Sequence, residues 1–361
     1  MNNAVYIHIP FCKNICSYCD FCKMFITSEW SYKYLDCLKE EIKDRYLKEE
    51  IHTLYIGGGT PSALDDTALL KLKEILGLFD LHALEEFTFE CNLDDINEKL
   101  LTTLKTLGVT RLSIGIQSFN HENLKILERR HTYKEAEDSI MLARKLGFNN
   151  INLDLIYAVP GETLKDLEND LKLFLKLKPD HISTYSLMIM PHTKIYLRHF
   201  SPISEDEDYA MYQYICRVLK KKGYNHYEVS NFALKGHESK HNLTYWNNDY
   251  YYGFGLSASG YYDGIRYTNT YNFKKYLNGE YDGERNILTK KDIMDNEIML
   301  GMRKLKGINI LAFKNKFGID IEDAYPIKPL LKNKDLIKKG EYIFIAPDKL
   351  YVMNEILMKM I

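Results

Sequence analysis

Six short runs rich in strand-forming residues alternate with longer stretches of helical period through the first half of the chain. That rhythm restricts the fold more than any other feature. The patterning predicts strands at Val5–Ile9, Thr53–Gly57, Glu86–Glu90, Arg111–Ile116, Asn150–Tyr157 and His181–Leu187. Helices are expected between them at Ser28–Lys48, Asp65–Phe79, Asp94–Leu107, Tyr133–Leu146 and Thr163–Leu177. Strands separated by crossover helices run parallel in one sheet. Six such units make about three quarters of an eight-stranded (β/α) barrel, so the fold class expected is α/β with a partial (β/α)6 TIM-like barrel. A barrel left incomplete has an open side for a large ligand.

The rhythm stops near Pro202, where a helix with acidic residues in its first turn (Glu205–Lys222) begins. We expect three parts: a barrel over 1–200, an aromatic-rich segment over 201–289 that covers it, and a C-terminal domain over 290–361. In the last part the periodicity predicts helices at 290–304, 309–316 and 330–338, then a hairpin over 341–353 and a short tail helix. Three helices and a hairpin suggest a mainly helical, winged-helix-like module. Such modules often bind DNA, but residues 290–361 carry 14 Lys/Arg against 10 Asp/Glu. That small excess favours a packing or lid domain.

The chemistry is concentrated at Cys12, Cys16 and Cys19, spaced C-x3-C-x2-C just after the first strand. Three thiolates at this spacing can hold three irons of a [4Fe-4S] cube and leave the fourth without a protein ligand. The open iron can chelate the amino and carboxylate groups of S-adenosylmethionine (SAM), and the pattern resembles that of the radical SAM enzymes. A zinc site with Cys22 as a fourth thiolate is the competing reading. Zinc ligands usually come as two separated C-x2-C pairs, and no second pair follows downstream.

Other polar groups gather where the predicted strands end. Gly57, Gly58 and Gly59, followed by Thr60, leave the second strand and let backbone groups approach a ligand closely. The loop has neither of the glycine patterns of phosphate loops. Glu90 and Asn92 end the third strand, Gln117 and Ser118 the fourth, and Asp154 lies in the fifth. In a barrel the C-terminal strand ends face the reaction mouth. A carboxylate such as Asp154 suits ribose hydroxyls, and Arg129 suits a carboxylate through a charge-assisted bond.

Composition excludes several classes. The net charge of −2 gives no electrostatic case for nucleic acid or an anionic membrane. No segment reaches the ~18 consecutive apolar residues of a membrane span, and no charged leader precedes an apolar stretch. Seven cysteines, four of them crowded between Cys12 and Cys22, suit a reducing compartment, so a cytoplasmic location is expected.

Residues 4 to 361 resemble the oxygen-independent coproporphyrinogen III dehydrogenase family of radical SAM proteins. The resemblance is carried by YIHIPFCKNICSYCDF, YIGGGTPS, FECNLD, RLSIGIQSFN, ERRHTYKEA and NLDLIYAVPGET. It implies a [4Fe-4S] cluster on Cys12, Cys16 and Cys19, and SAM contacts at Tyr6, Tyr18, Gly58, Gly59, Thr60, Glu90, Gln117, Arg129 and Asp154. Within the family the chain is most similar to the heme chaperones. The long N-terminal extension of the dehydrogenases is absent, Phe21 stands where their motif continues C-x-C, and HNLTYW occupies His241–Trp246. There are departures from the chaperones as well. Met190 replaces a glutamate, Ser259 a histidine, Cys22 an asparagine and Glu128 a glycine; these fall more on the presumed substrate cavity than on the cluster.

Two function classes follow. In one the protein is a heme chaperone that takes heme and passes it to an acceptor protein. His241 is then the candidate axial ligand, and the aromatic segment from Tyr245 to Tyr267 lines the porphyrin. In the other it is a radical enzyme acting on a tetrapyrrole, with coproporphyrinogen III decarboxylation as the named case, and the cofactor carries the chemistry. Either class implies an electron donor such as flavodoxin or ferredoxin. His8, Cys37, Cys91 and Cys216 are read as structural.

Overall fold

The computed structural model describes residues 3–361. Strand β1 (Asn3–Ile9) leads into two short strands, β2 (Phe11–Cys12) and β3 (Met24–Phe25), that pair with each other. Then come β4 (Ile51–Gly58), β5 (Glu86–Asn92), β6 (Arg111–Gln117), β7 (Ile151–Tyr157) and β8 (His181–Ser186). The sheet order β1-β4-β5-β6-β7-β8 is parallel throughout. The crossovers are α1 (Ser28–Arg45), α2 (Asp66–Leu76), α3 (Glu98–Thr106), the pair α4 (His121–Leu127) and α5 (Tyr133–Lys145), and α6 (Leu164–Lys176). This is the partial (β/α)6 barrel expected from the alternation.

Helix starts are written locally. Thr27, Asp65 and Asn97 accept backbone N–H groups of the first turns of α1, α2 and α3, and Thr132 and Thr163 form capping boxes with Glu135 and Asp166. The cap at Asn97 explains why the helix expected from Asp94 begins four residues later. Phe87, Phe89, Leu112, Ile114, Leu153 and Leu155 are fully buried and pack in the main core. The alternate positions on these strands are polar: Glu86, Thr88 and Glu90; Arg111 and Ser113; Asn152 and Asp154; His181 and Ser183. Successive side chains of a strand point to opposite faces, so the concave side of this barrel is polar where a closed barrel stacks apolar layers.

The aromatic segment largely joins the sheet instead of lying over it. After α7 (Lys194–Leu197) and α8 (Glu205–Lys221), β9 (Asn225–Glu228) and β10 (Asn231–Ala233) extend the β8 edge. Helix α9 (Lys240–Trp246) follows. Strand β11 (Tyr251–Phe254) pairs parallel with β1, and β12 (Ser259–Tyr262), β13 (Ile265–Asn269) and, after α10 (Phe273–Leu277), β14 (Asp282–Ile287) continue that edge. Aromatic side chains favour such strand positions, and Tyr252, Phe254 and Tyr261 are buried there.

The C-terminal part has its own core, built on Ile298, Met302, Phe313, Ile327 and Ile343. It contains α11 (Lys290–Gly301), β15 (Ile308–Asn309), α12 (Ile310–Phe317), α13 (Ile321–Ala324), α14 (Ile327–Lys332), β16 (Leu336–Lys339), β17 (Tyr342–Ile345) and α15 (Met353–Leu357). Helices around a three-stranded sheet make it winged-helix-like. Two expectations fail here. The helix expected over 330–338 ends at Lys332, because Lys334 turns the chain at φ 61° and Leu336–Lys339 pairs with Tyr342–Ile345. The hairpin expected over 341–353 keeps only its first strand, since Pro347–Val352 is a 3-10 helix. Among the described residues no helix is long and apolar enough to cross a membrane.

Candidate functional site

A cavity of about 1260 Å³ opens at the C-terminal ends of the strands and runs into the polar lumen. Cys12, Cys16 and Cys19 line it together. The loop that carries them is held at both ends. Phe11 and Cys12 pair with Met24 and Phe25, while the N–H groups of Gly59 and Thr60 donate to the carbonyls of Ile9 and Phe11, each at 2.8 Å. At the far side the N–H of Ile195 donates to Ser17 O at 2.9 Å, and Lys194 reaches both Ile15 O and Glu128.

The glycines explain the fit of this seat. A Cβ on Gly59 would come within 2.8 Å of the Pro10 carbonyl carbon, and one on Gly58, at φ +116°, within 2.6 Å of the His8 ring. Only residues without side chains let the β4 loop lie under the cysteine loop. His8 braces the same region. Its Nε2–H donates to Cys22 O at 2.8 Å, so its Nδ1 accepts the Tyr6 hydroxyl at 3.0 Å. Burial pushes His8 down to about 4, which keeps the ring neutral.

Each of the predicted SAM contacts except Tyr6 lines the cavity: Tyr18, Gly58, Gly59, Thr60, Glu90, Gln117, Arg129 and Asp154. Tyr6 is turned to His8 and packs against Tyr55. Glu90 accepts the Tyr55 hydroxyl at 2.7 Å and the Gly58 N–H at 3.0 Å. Burial nevertheless raises it to about 7. Asp154 accepts from Asn152 at 2.8 Å and is likewise raised by burial. Arg129 donates to Cys16 Sγ at 3.8 Å and to Gly115 O. Thr60 donates to Cys12 Sγ at 3.4 Å.

Gln117 departs from ordinary strand geometry. It sits at φ +75° beside a register shift against β7, and its buried Oε1 has no partner. Gly115 permits this, because a Cβ there would meet the Gln117 amide at 2.9 Å. A strained backbone that leaves a polar atom lining a cavity marks a functional position.

The donor set fits a SAM-bound cluster and does not fit zinc. Cys22 is not among the cavity residues; its thiol is hydrogen-bonded with Ser257 and packs against the main core. Among the described residues no group of three His, Cys, Asp or Glu side chains sits at the spacing of a single metal ion. Three thiols on one cavity, with a glycine cradle and strand-end carboxylates beside them, match a polynuclear cluster with a charged organic cofactor.

His241 does not meet its expectation as a heme ligand. It is 1% exposed and lies off the cavity. Its Nδ1 bonds Thr53 Oγ1 at 2.9 Å and its Nε2 bonds the Tyr245 hydroxyl at 2.7 Å, so neither nitrogen is free for iron. Burial, helped by Arg111, pushes the ring down to about 3. The N–H groups of Lys240 and His241 donate to Glu86, which fixes α9 across the N-terminal end of the barrel. The motif around His241 closes the barrel bottom. Met188 and Met190 do reach the cavity, whereas Ser259 bonds Thr268 on the far sheet edge.

Arg111, Tyr185 and Asn242 also line the cavity and were not singled out from the sequence. The polar alternation in β5 to β8 carried the signal for Arg111 and Tyr185. Asn242 comes from α9, inside the HNLTYW motif, where His241 rather than Asn242 reads as the functional residue.

Comparison with known proteins gives relatives for the whole chain. Residues 6–174 match the radical SAM superfamily and residues 288–345 the HemN C-terminal domain. The heme chaperone HemW of Lactococcus lactis is 41% identical, covering 99% of this chain and 97% of its own. HemW of Bacillus subtilis is 38% identical, covering 93% and 92%. The solved structure of Escherichia coli coproporphyrinogen III oxidase (HemN), described as a radical SAM enzyme, superposes with a TM-score of 0.87 over 99% of this chain and 89% of that one, at 23% identity.

Proposed function

Because the chain belongs to the radical SAM superfamily and, within it, to the HemW family of heme chaperones, we propose that it binds heme and passes it to an acceptor protein. The carrying observation is one cavity that joins the three cysteines to a lumen with room beyond a single small ligand, about 1260 Å³ against the roughly 300–1,000 Å³ usual for one. Cys12, Cys16 and Cys19 would hold the [4Fe-4S] cluster, and Gly58, Gly59, Thr60, Glu90, Gln117, Arg129 and Asp154 the SAM. When bound, that pair supplies one-electron reduction of the sulfonium.

The protein's own residues orient and shield. Arg129 and Thr60 donate to the Cys16 and Cys12 sulfurs that would bind the cluster, and Glu90 would present a carboxylate to a cationic cofactor. Phe21, Phe25 and Met188, each more than half exposed and all on the cavity rim, offer apolar contact to a flat macrocycle. The acceptor is a second protein. The electron donor is a small redox protein of the flavodoxin or ferredoxin type, and the location is the reducing cytoplasm. The C-terminal module packs or covers; it does not read DNA.

The test is a heme titration of the anaerobically reconstituted protein and of the cluster-free Cys12→Ala variant, followed by mixing with an apo heme protein. Stoichiometric uptake by both forms and transfer to the apo protein are expected. No saturable uptake by either form rejects the reading.

The second reading, a dehydrogenase acting on coproporphyrinogen III, is favoured by the fold shared with the HemN structure over 99% of the chain. The same cavity would then hold a reduced tetrapyrrole as substrate.

A further inference from the structure

Arg111 is the first residue of β6, at the end of the barrel away from the cysteines. It is 2% exposed, lines the cavity, and its Nε has no hydrogen-bond partner. The carboxylates around it are committed elsewhere. Glu86 takes the N–H groups of Lys240 and His241, Glu90 takes Tyr55 and Gly58, and Asp154 takes Asn152. Glu90 and Asp154 feel Arg111 only through space. His181 and His241 add no second positive charge beside it, since burial and then Arg111 itself hold both rings neutral. A buried guanidinium without a paired anion is costly and is kept only where something repays it.

Gln117, the strained residue of the cofactor end, stands six residues further along the same strand. At roughly 3.3 Å per residue their Cα atoms are about 20 Å apart, with Glu90, level with Ser113, only two residues above Arg111, so Arg111 marks the floor of the same lumen. Ser113, Asn152, Ser183 and Asn242 line the cavity with Arg111 and supply further hydrogen-bonding groups. A guanidinium that no side-chain carboxylate bonds directly recognises a ligand carboxylate, which it can bind with two parallel N–H donors.

We infer that Arg111 anchors a carboxylate of the second ligand in this cavity, which, resting on the heme reading above, is a propionate of the tetrapyrrole. The anion enters the lumen, and the apolar macrocycle lies toward the rim. Arg111 is thus a binding residue that sets specificity for a free acid over its ester.

The experiment titrates the reconstituted protein with heme and with heme dimethyl ester, following the Soret band, for the parent, Arg111→Gln and Arg111→Lys; SAM affinity is measured in parallel. The parent is expected to bind heme at least tenfold more tightly than the ester. Arg111→Gln should lose tenfold to a hundredfold in heme affinity and bind acid and ester alike. Arg111→Lys should keep part of the preference and, because it keeps the positive charge that Glu90 and Asp154 feel, should leave SAM affinity unchanged. Equal binding of acid and ester by the parent overturns the inference, and that comparison stands whether or not Arg111→Gln folds. Weakened SAM binding with heme affinity intact also overturns it, because Arg111 would then act only as a counter-charge to Glu90 and Asp154. If the parent binds neither tetrapyrrole, the heme reading itself falls and takes the propionate assignment with it.

Discussion

Glu90 and Gly58 are joined across the β4–β5 pair, the Gly58 N–H donating to Glu90 Oε2 at 3.0 Å. The bond ties the strand-end carboxylate to the loop that seats the cysteines, so one carboxylate serves both the geometry and the charge of the cofactor end. Gly57 has to lack a side chain for the same reason, since a Cβ there would meet the Glu90 carboxyl at 2.7 Å.

Glu90→Gln should weaken SAM binding tenfold to a hundredfold while leaving the cluster intact, the loss of one charge-assisted hydrogen bond of about 1.5–3 kcal/mol. Calorimetric titration with iron counted in the same sample checks it. Unchanged affinity would remove Glu90 from the cofactor site.

Glu90 also gives a pH signature. Its folded-state value of about 7 lies above the ordinary carboxylate value, so its contribution to stability is present below the ordinary value and is lost as pH rises through about 7. Glu162 and Asp170 are shifted in the same direction, so the comparison must be with a variant. The urea midpoint of the cofactor-free parent should fall between pH 5 and pH 8 more steeply than that of Glu90→Gln. SAM affinity in the parent should rise over the same window as the carboxyl ionises.

Only three of the clustered cysteines should matter to iron. Cys12→Ala, Cys16→Ala and Cys19→Ala should each abolish the iron–sulfur absorbance, and Cys22→Ala should retain it, because the Cys22 thiol sits with Ser257 off the cavity. Stoichiometric zinc without sulfide in the parent would instead restore the zinc reading.

His241→Ala should destabilise the fold and leave the heme spectrum alone. Removing the ring strands the Thr53 hydroxyl and the Tyr245 hydroxyl, at a cost of about 2–4 kcal/mol. A shifted Soret band in a variant that melts like the parent would show that the buried ring turns out to meet iron.

The parallel core was readable because its signals are local. Strand runs, helix caps such as Thr132 with Glu135, and the cysteine spacing all act within a few residues of themselves. What was not readable depends on distant partners. His241 looked like a free ligand because nothing within HNLTYW reveals that Thr53 and Glu86, more than 150 residues away, hold its ring and backbone. Leu336–Lys339 carries helical period and becomes a strand only because Tyr342–Ile345 offers it a ladder. Tyr6 follows the motif of the family, yet its hydroxyl is taken by His8. Arg111 was visible as one step of a polar alternation, but its lack of a partner appears only once every neighbouring carboxylate is seen to be engaged.

The most direct measurement incubates the reconstituted protein with SAM and a reductant under anaerobic conditions, once with heme and once with coproporphyrinogen III, and quantifies bound heme, 5′-deoxyadenosine and porphyrin products. Heme retained at one equivalent, and coproporphyrinogen III recovered without decarboxylation, is the expected result. Conversion of coproporphyrinogen III to protoporphyrinogen IX by a protein that retains no heme would contradict the account.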